Sequence, residues 1–407
     1  MLATTLTQTL HCVVDANIPR LAQWLRALGC SVVEYAERSP SAASLQDCQA
    51  LFVRSVTKVT ADLLDAAPDL RWLATATIGT DHLDQQALEQ RGIAWCAAAG
   101  ANAEAVGQYI LNATVECLLR QAPDQSLPLT KVNGQAPSAA IVGAGHTGQA
   151  AGRRLAGLGF AVHYYDPPLL QQTRLEAKRT CARLEVHADW QRVLQADVIS
   201  LHVPLTRAGE QPTYHLFDAA ALAQLAPNTL LLNASRGPVI EQQALLTALQ
   251  RQPRSVVLDV WEFEPQVEAE LVAHCQLATA HIAGHSLEGK IGGAKRVFEA
   301  FCRHFELLPP AQLDGDLSAE LTTVWTLSEA PTLQTLATHL RAIYDVREDD
   351  ARFRQQGLDS GGFDRLRKEY PARRQQSVMG CTGAWLAAQP EWRARLQQLD
   401  FTILAEE

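Results

Sequence analysis

Residues 139–166 read AAIVGAGHTGQAAGRRLAGLGFAVHYYD. The short apolar run Ala139 to Val142 has the composition of a buried strand. Gly143, Gly145 and Gly148 follow at G-x-G-x-x-G spacing, and an alanine-rich helical stretch runs through Leu155, with Gly157 and Gly159 ending it. Ala161 to Tyr165 makes a second strand that delivers Asp166. Each part has a physical task in dinucleotide binding. Gly143 permits the tight turn out of the strand, and Gly145 lets backbone N–H groups approach a pyrophosphate. Gly148 lets the helix pack on the strand, so that its positive end faces the phosphates. Asp166 can accept from both ribose hydroxyls and would repel a 2′-phosphate, so the expected cofactor is NAD rather than NADP. Glycines at this spacing commonly mark only a turn; here strand, helix, second strand and terminal acid all surround them.

Upstream, Cys12 to Ala16 reads as a strand, Ile18 to Leu28 as a helix closed by Gly29, and Ser31 to Tyr35 as a second strand. Leu51 to Val53 and Arg71 to Thr75 are further strands, each ending in a polar cluster: Arg54-Ser55-Val56-Thr57-Lys58 and Thr77-Ile78-Gly79-Thr80-Asp81. Alternating strands and helices indicate a doubly wound parallel sheet, in which ligands sit beyond the carboxyl ends of strands. Arg54 and Lys58 are candidates for an anionic substrate, or belong to a solvated loop. Residues 102–120 read as one long helix, with Asn102 as cap and Val106, Tyr109, Ile110, Ala113 and Cys117 as an apolar stripe. A polar, proline-containing stretch from Gln121 to Pro137 separates this helix from the glycine fingerprint.

A chain of 407 residues is too long for one compact core. Its net charge of −9 argues against nucleic acid as the main partner. No apolar run approaches a membrane span, and the N-terminus lacks the basic and apolar regions of a secretory signal. The nine cysteines form no C-x-x-C pair and suit a reducing cytoplasm as free thiols and small core residues. No metal is expected.

Beyond Asp166 the alternation continues through strands at Asp197 to Leu201, Leu230 to Asn233 and Ser255 to Val260. Polar residues recur after them: Arg236, Asp259, Glu264 and His281. Hydride transfer at a carbinol carbon needs a partner for the hydroxyl proton, and histidine titrates near neutrality. A neighbouring carboxylate fixes its tautomer and favours the imidazolium. An arginine holds a substrate carboxylate and polarises the adjacent carbonyl. Each residue alone has an ordinary structural explanation. Behind a dinucleotide fingerprint the three form a complete set for 2-oxo acid chemistry, with Arg236, Glu264 and His281 as candidate catalytic residues.

The fingerprint, with H-V-P-L at 202–205, N-A-S-R-G-P at 233–238, D-V-W-E-x-E-P at 259–265 and H-I-A-G at 281–284, resembles the D-isomer-specific 2-hydroxyacid dehydrogenases. S-V-T-K at 55–58, A-T-x-G-T-D-H at 76–82, S-L-E-G-K at 286–290, Y-D-V-R-E-D-D at 344–350 and F-D-R-L-R-K-E-Y at 363–370 narrow the likeness. They resemble the branch that oxidises 4-phospho-D-erythronate with NAD to 2-oxo-3-hydroxy-4-phosphobutanoate, in pyridoxal 5′-phosphate synthesis. The likeness runs from about Val13 to about Arg374. It implies two doubly wound, Rossmann-like α/β domains followed by a C-terminal α+β dimerisation domain. The substrate domain would be split over 1–105 and 283–310, with the NAD domain at 106–282 and the dimerisation domain at 311–407. It also implies a cytoplasmic homodimer.

By the same resemblance, Arg236 and Glu264 match the catalytic arginine and glutamate, and His281 the proton donor. Gly143, Gly145, His146, Thr147, Gly148, Asp166, Ala234, Ser235, Asp259 and Gly284 match the cofactor site, and Ser55 and Thr77 match substrate contacts. There are departures. His285 stands where the family pattern A-G-Y has tyrosine, and can still donate a hydrogen bond to substrate. Val203 stands where a threonine meets the cofactor, leaving its backbone for that contact. In the C-terminal region, Leu333, Leu336, Leu340 and Ile343 have helical spacing. Arg365, Arg367, Lys368, Arg373 and Arg374 read as a solvated face offset by nearby acids. Two other functions stay open: a glycerate or 3-phosphoglycerate dehydrogenase, and a non-catalytic NAD-sensing protein. The C-terminal motifs argue against the first, and the intact Arg–Glu–His set against the second.

Overall fold

A computed structural model of the chain describes residues 9–122, 125–309 and 321–405. The first ten residues of the expected C-terminal domain, 311–320, lie outside these. The contacts separate two compact units. One runs through Asn102 and resumes at Leu287; the other runs from Ala103 to Ser286 and takes in the C-terminal region. Among the described residues no helix is long and apolar enough to cross a membrane, and no cluster of His, Cys, Asp and Glu could hold a metal ion.

The first unit is built on β1 (His11–Asp15), β2 (Ser31–Tyr35), β3 (Ala50–Val53), β4 (Trp72–Thr75) and β5 (Ala94–Ala97). They pair in the order β2-β1-β3-β4-β5, all parallel. β3 and β4 are buried along their whole length, which is why they read as continuous apolar runs rather than alternating ones. Helix Leu287–His304 returns to this sheet, with Phe298 against Trp24 and Phe301 against Phe52. The first helix is shorter than its sequence suggests, Leu21–Ala27. Arg20 ahead of it lies in the left-handed region at φ 65°, so the segment from Ile18 cannot be helical.

The second unit carries β6 (Ser138–Val142), β7 (Ala161–Tyr165), β8 (Val186–His187), β9 (Val198–Leu201), β10 (Leu230–Asn233), β11 (Val256–Leu258) and β12 (Leu277–Ala278). The order is β12-β11-β10-β9-β6-β7-β8, again parallel throughout. This is the doubly wound arrangement, with its switch of direction between β6 and β9. The helix after the glycine turn spans His146–Leu158. Gly157 therefore lies inside it rather than ending it, and a Cβ there would come within 2.9 Å of Leu399. Gly159 is the stop, at φ 109°.

The long helix is Ala103–Gln121. Asn102 does not cap it: its Oδ1 is buried and accepts no hydrogen bond. Nor is the helix amphipathic, because its polar residues Gln108, Asn112, Thr114 and Glu116 are buried along with the apolar stripe. The C-terminal region covers that second face. β13 (Thr323–Thr326), β14 (Met379–Thr382) and β15 (Thr402–Ile403) form a small parallel sheet among helices. Trp325, Leu336, Leu340, Met379, Leu396 and Phe401 share one continuous core with Tyr109, Ile110 and Leu155. The basic run is not a uniformly solvated face. Arg373 is only 5% exposed, its guanidinium 4.3 Å from the Tyr344 ring. Its apolar stem and cation–π contact let it sit inside, which charge counting alone does not anticipate. All nine cysteines are free, and only Cys96 and Cys181 are not fully buried.

Candidate active site

The residues singled out in the second half of the sequence follow the carboxyl ends of neighbouring strands. Gly143 follows β6, Asp166 follows β7, His202 and Val203 follow β9, and Arg236 follows β10. Asp259 and Glu264 follow β11, and His281 follows β12. One edge of one sheet thus carries both the glycine turn and the acid–base groups.

The glycine turn has the shape that a pyrophosphate requires. Gly143 sits at φ 101°, and a Cβ there would meet the His202 carbonyl at 2.6 Å. A Cβ on Gly148 would fall 1.9 Å from the Gly143 carbonyl, so only glycine lets the helix begin this close to the strand. Gly145 differs: a Cβ would meet nothing within 4 Å. Gly145 immediately precedes the helix, next to exposed His146 and half-buried Thr147, and the backbone N–H groups of a helix start attract anions. Asp166 braces the turn. Its Oδ2 accepts from Ala144 N–H at 2.8 Å, and its Oδ1 from Leu169 N–H at 2.9 Å. Each oxygen keeps a further lone pair. Val203 flanks Gly143, and His202 is buried against Ser200 Oγ at 2.8 Å, with burial pushing its pKa down to about 3.

His281 and Glu264 are in direct contact: His281 Nδ1 lies 2.7 Å from Glu264 Oε1. Burial disfavours the Glu264 carboxylate. His281, Arg367 and the Trp261 N–H outweigh that and hold its pKa below the ordinary value. An ionised carboxylate only accepts, so Nδ1 carries the proton and the lone pair of the neutral ring is on Nε2. The motif W-E-F-E-P holds two glutamates, and the structure separates them. Glu262 is committed to His215 Nε2 at 2.6 Å and to Gln242 N–H at 2.8 Å. Only Glu264 faces His281.

His281 has a left-handed backbone, φ 55°, which costs a non-glycine residue free energy. Asp259 holds it there. The Asp259 carbonyl accepts the His281 N–H at 2.7 Å. Its carboxylate, 1% exposed, accepts from Thr279 Oγ1 at 2.7 Å and from the N–H groups of Ile282 and Ala283 at 2.8 Å each. Tyr109 donates in turn to Thr279 at 2.8 Å. Asp259, matched to a cofactor contact, is therefore also the anchor of the histidine loop. Thr279 and Tyr109, which no motif marks, belong to the same network.

Arg236 is half-buried and donates to the Ser235 carbonyl at 2.8 Å. Its turn is fixed by Asn233, whose Oδ1 accepts from Ser235 N–H and Oγ. The following Gly237 packs so closely that a Cβ would fall 2.0 Å from the Trp261 carbonyl. The arginine turn thus lies against the chain that leads to Glu264. Ala234 and Gly284 are half-buried beside these turns. His285 stacks edge-on against Tyr370 with ring centroids 5.5 Å apart.

In the first unit, Ser55 is exposed after β3, and Thr77 Oγ1 lies 2.7 Å from Thr75 Oγ1 after β4. Arg54 is tied by its Nε to the buried carboxylate of Asp15 at 2.9 Å, whereas Lys58 is exposed.

Comparison with known proteins agrees with this fold. The NAD-binding domain of the D-isomer specific 2-hydroxyacid dehydrogenases matches residues 120–283. A domain of unknown function, DUF3410, matches residues 318–395. The erythronate-4-phosphate dehydrogenase of Idiomarina loihiensis is 46% identical over 359 residues, covering 88% of this chain and 90% of its own. That of Aeromonas hydrophila is 40% identical over 377 residues, covering 92% and 96%. An NAD+-bound 3-phosphoglycerate dehydrogenase from Entamoeba histolytica superposes with a TM-score of 0.60 at 19% identity, over 74% of this chain and 96% of that one. That last likeness speaks for the fold alone. The NAD-binding domain makes NAD the cofactor and the chain an oxidoreductase, and with these relatives the chain belongs to the erythronate-4-phosphate dehydrogenase family of NAD-dependent D-2-hydroxyacid dehydrogenases.

Proposed function

We propose that the protein oxidises 4-phospho-D-erythronate to 2-oxo-3-hydroxy-4-phosphobutanoate, on the route to pyridoxal 5′-phosphate, with the residues above in assigned roles. The observation that carries this reading is the 2.7 Å contact between His281 Nδ1 and Glu264 Oε1, on the same sheet edge as the glycine turn. Bound NAD supplies the hydride acceptor. His281 Nε2 takes the proton from the C2 hydroxyl as the C–H bond breaks. Glu264 stabilises the imidazolium that results. Arg236 pairs with the substrate carboxylate and polarises the forming carbonyl. The backbone from Gly143 to Gly148, with His146 and Thr147, holds the pyrophosphate, and Asp166 holds the adenosine ribose. Val203, Ala234, Ser235, Asp259 and Gly284 line the nicotinamide side, and Ser55, Thr77 and His285 meet the substrate.

The unit through Asn102 serves as substrate domain and the glycine-turn unit as NAD domain. The C-terminal region serves assembly of a homodimer in the cytoplasm. A substrate panel followed by NADH formation tests the assignment. Turnover of 4-phosphoerythronate well above 3-phosphoglycerate and glycerate is expected; preference for either of the others would replace it.

A further inference from the structure

The C-terminal region matches a domain to which no function is attached, yet it touches the histidine loop at several points. Asp350 Oδ1 accepts from Ala278 N–H in β12 at 2.7 Å, just before the loop. Arg373 Nη2 donates to the Ala283 carbonyl at 2.6 Å. Gln375 Nε2 donates to Ser286 Oγ at 3.0 Å. Tyr370 packs on the His285 ring. The same region grips the long helix along one line of residues. Arg373 Nη2 also donates to the Ala105 carbonyl at 3.0 Å. Gln108 Nε2 donates to the Arg374 carbonyl at 3.2 Å and Asn112 Nδ2 to the Tyr344 carbonyl at 2.6 Å. Arg341 forms a two-pronged pair with Glu116 at 2.6 and 2.7 Å. Residues 105, 108, 112 and 116 recur at helical spacing, so they form one stripe. Arg373 bridges helix and loop, donating to a carbonyl on each through one nitrogen.

We propose that the C-terminal region is a working part of the active site, and that Arg373 is its positioning residue: it ties the 281–286 loop to the long helix, and so fixes where the His281 imidazole and the Gly284 backbone present themselves. The proposal rests on the catalytic reading of His281. Asp259 secures the loop from the sheet side, and Arg373 secures it from the other. Without Arg373 the loop keeps its anchor at Asp259 but loses the bond at Ala283, two residues past the left-handed histidine. Arg367, from the same region, adds its positive charge near Glu264 and helps hold that carboxylate ionised. Both members of the acid–base pair therefore feel this region.

The test compares four full-length variants by steady-state oxidation of 4-phosphoerythronate, each assayed well below its own Tm. Arg373→Met keeps the buried stem and removes the donors; Arg373→Lys restores a donor. Leu396→Ala loosens the same region far from the loop's bonding partners, and His281→Asn reports on the catalytic reading itself. For Arg373→Met a fall in kcat of about 10²-fold is expected, the scale on which displacement of a catalytic group acts. Arg373→Lys should recover part of it. Leu396→Ala should lower Tm and leave kcat near the parent value. If Arg373→Met does not fold, Gln375→Leu takes its place, with a smaller loss of kcat expected. Arg373→Met (or Gln375→Leu) with kcat unchanged, or Leu396→Ala with an equal loss of kcat, overturns the proposal. If His281→Asn loses turnover while the Arg373 variants keep it, only the positioning role fails. If His281→Asn keeps turnover, the catalytic reading fails first.

Discussion

Asp259 and His281 are joined through the main chain: the His281 N–H donates to the Asp259 carbonyl at 2.7 Å, while the Asp259 carboxylate receives the two N–H groups that follow His281 in sequence. A residue at the end of one strand thereby fixes the left-handed conformation of a residue after the next strand.

Asp259→Asn should separate anchoring from folding. An amide offers one acceptor oxygen where the carboxylate offers two, and turns an NH₂ toward groups that themselves donate. At least one buried donor is then left unsatisfied, at about 1–3 kcal/mol. Turnover should fall by roughly 10²-fold through misplacement of the imidazole, with the far-ultraviolet circular dichroism of the parent retained. Parent-like kcat would mean that the loop holds its shape without this carboxylate.

Asp166 should set cofactor choice. Its negative charge lies at the end of β7, and both oxygens already brace backbone N–H groups. Asp166→Asn keeps one acceptor and removes the charge. The loss of a charged hydrogen bond to ribose should weaken NAD by roughly 10–100-fold, while NADP, no longer repelled, should gain. Titration of both cofactors by protein fluorescence checks this. Equal affinity for NAD and NADP in the parent protein would remove the basis for the assignment.

Much of this was legible in the sequence, and the reason is local. β10 begins and ends where the sequence places it, because a central parallel strand is buried along its whole length. The glycine turn is legible because a Cβ at Gly143 or Gly148 would strike backbone. Two kinds of feature escaped. The sequence reading marks only the apolar stripe of the long helix and is silent on Gln108, Asn112 and Glu116, whose partners lie more than 200 residues away in sequence. Arg373 sat among other basic residues, and nothing in that run says which arginine turns inward. The polar stripe at 3–4-residue spacing was the available signal, because a second covered face implies a second layer. Asp259 was matched to a cofactor role, while its anchoring role depends on a turn twenty residues on.

Acid should destabilise the fold partly through His163. It is buried, its Nδ1 lies 2.7 Å from His187 Nε2, and burial together with Arg192 and His187 pushes its pKa down to about 4. A group whose pKa is depressed by folding takes up its proton more readily in the unfolded chain. The stability linked to it is present in full above the unfolded value, about 6.5. It is lost as pH falls from there toward the folded value, by at most roughly 3 kcal/mol. Tm should therefore decline from pH 6.5 to 4, and the decline should be shallower in His163→Gln. Parallel Tm curves for the two proteins would exclude His163 as a contributor.

The central claim is that His281, oriented by Glu264, moves the substrate proton. The direct measurement is turnover of His281→Ala beside its affinity for NADH. The account predicts a loss of roughly 10²–10⁴ in kcat, with NADH affinity retained, because the glycine turn and Asp166 lie at the ends of other strands. Unchanged turnover with NADH still bound would contradict it.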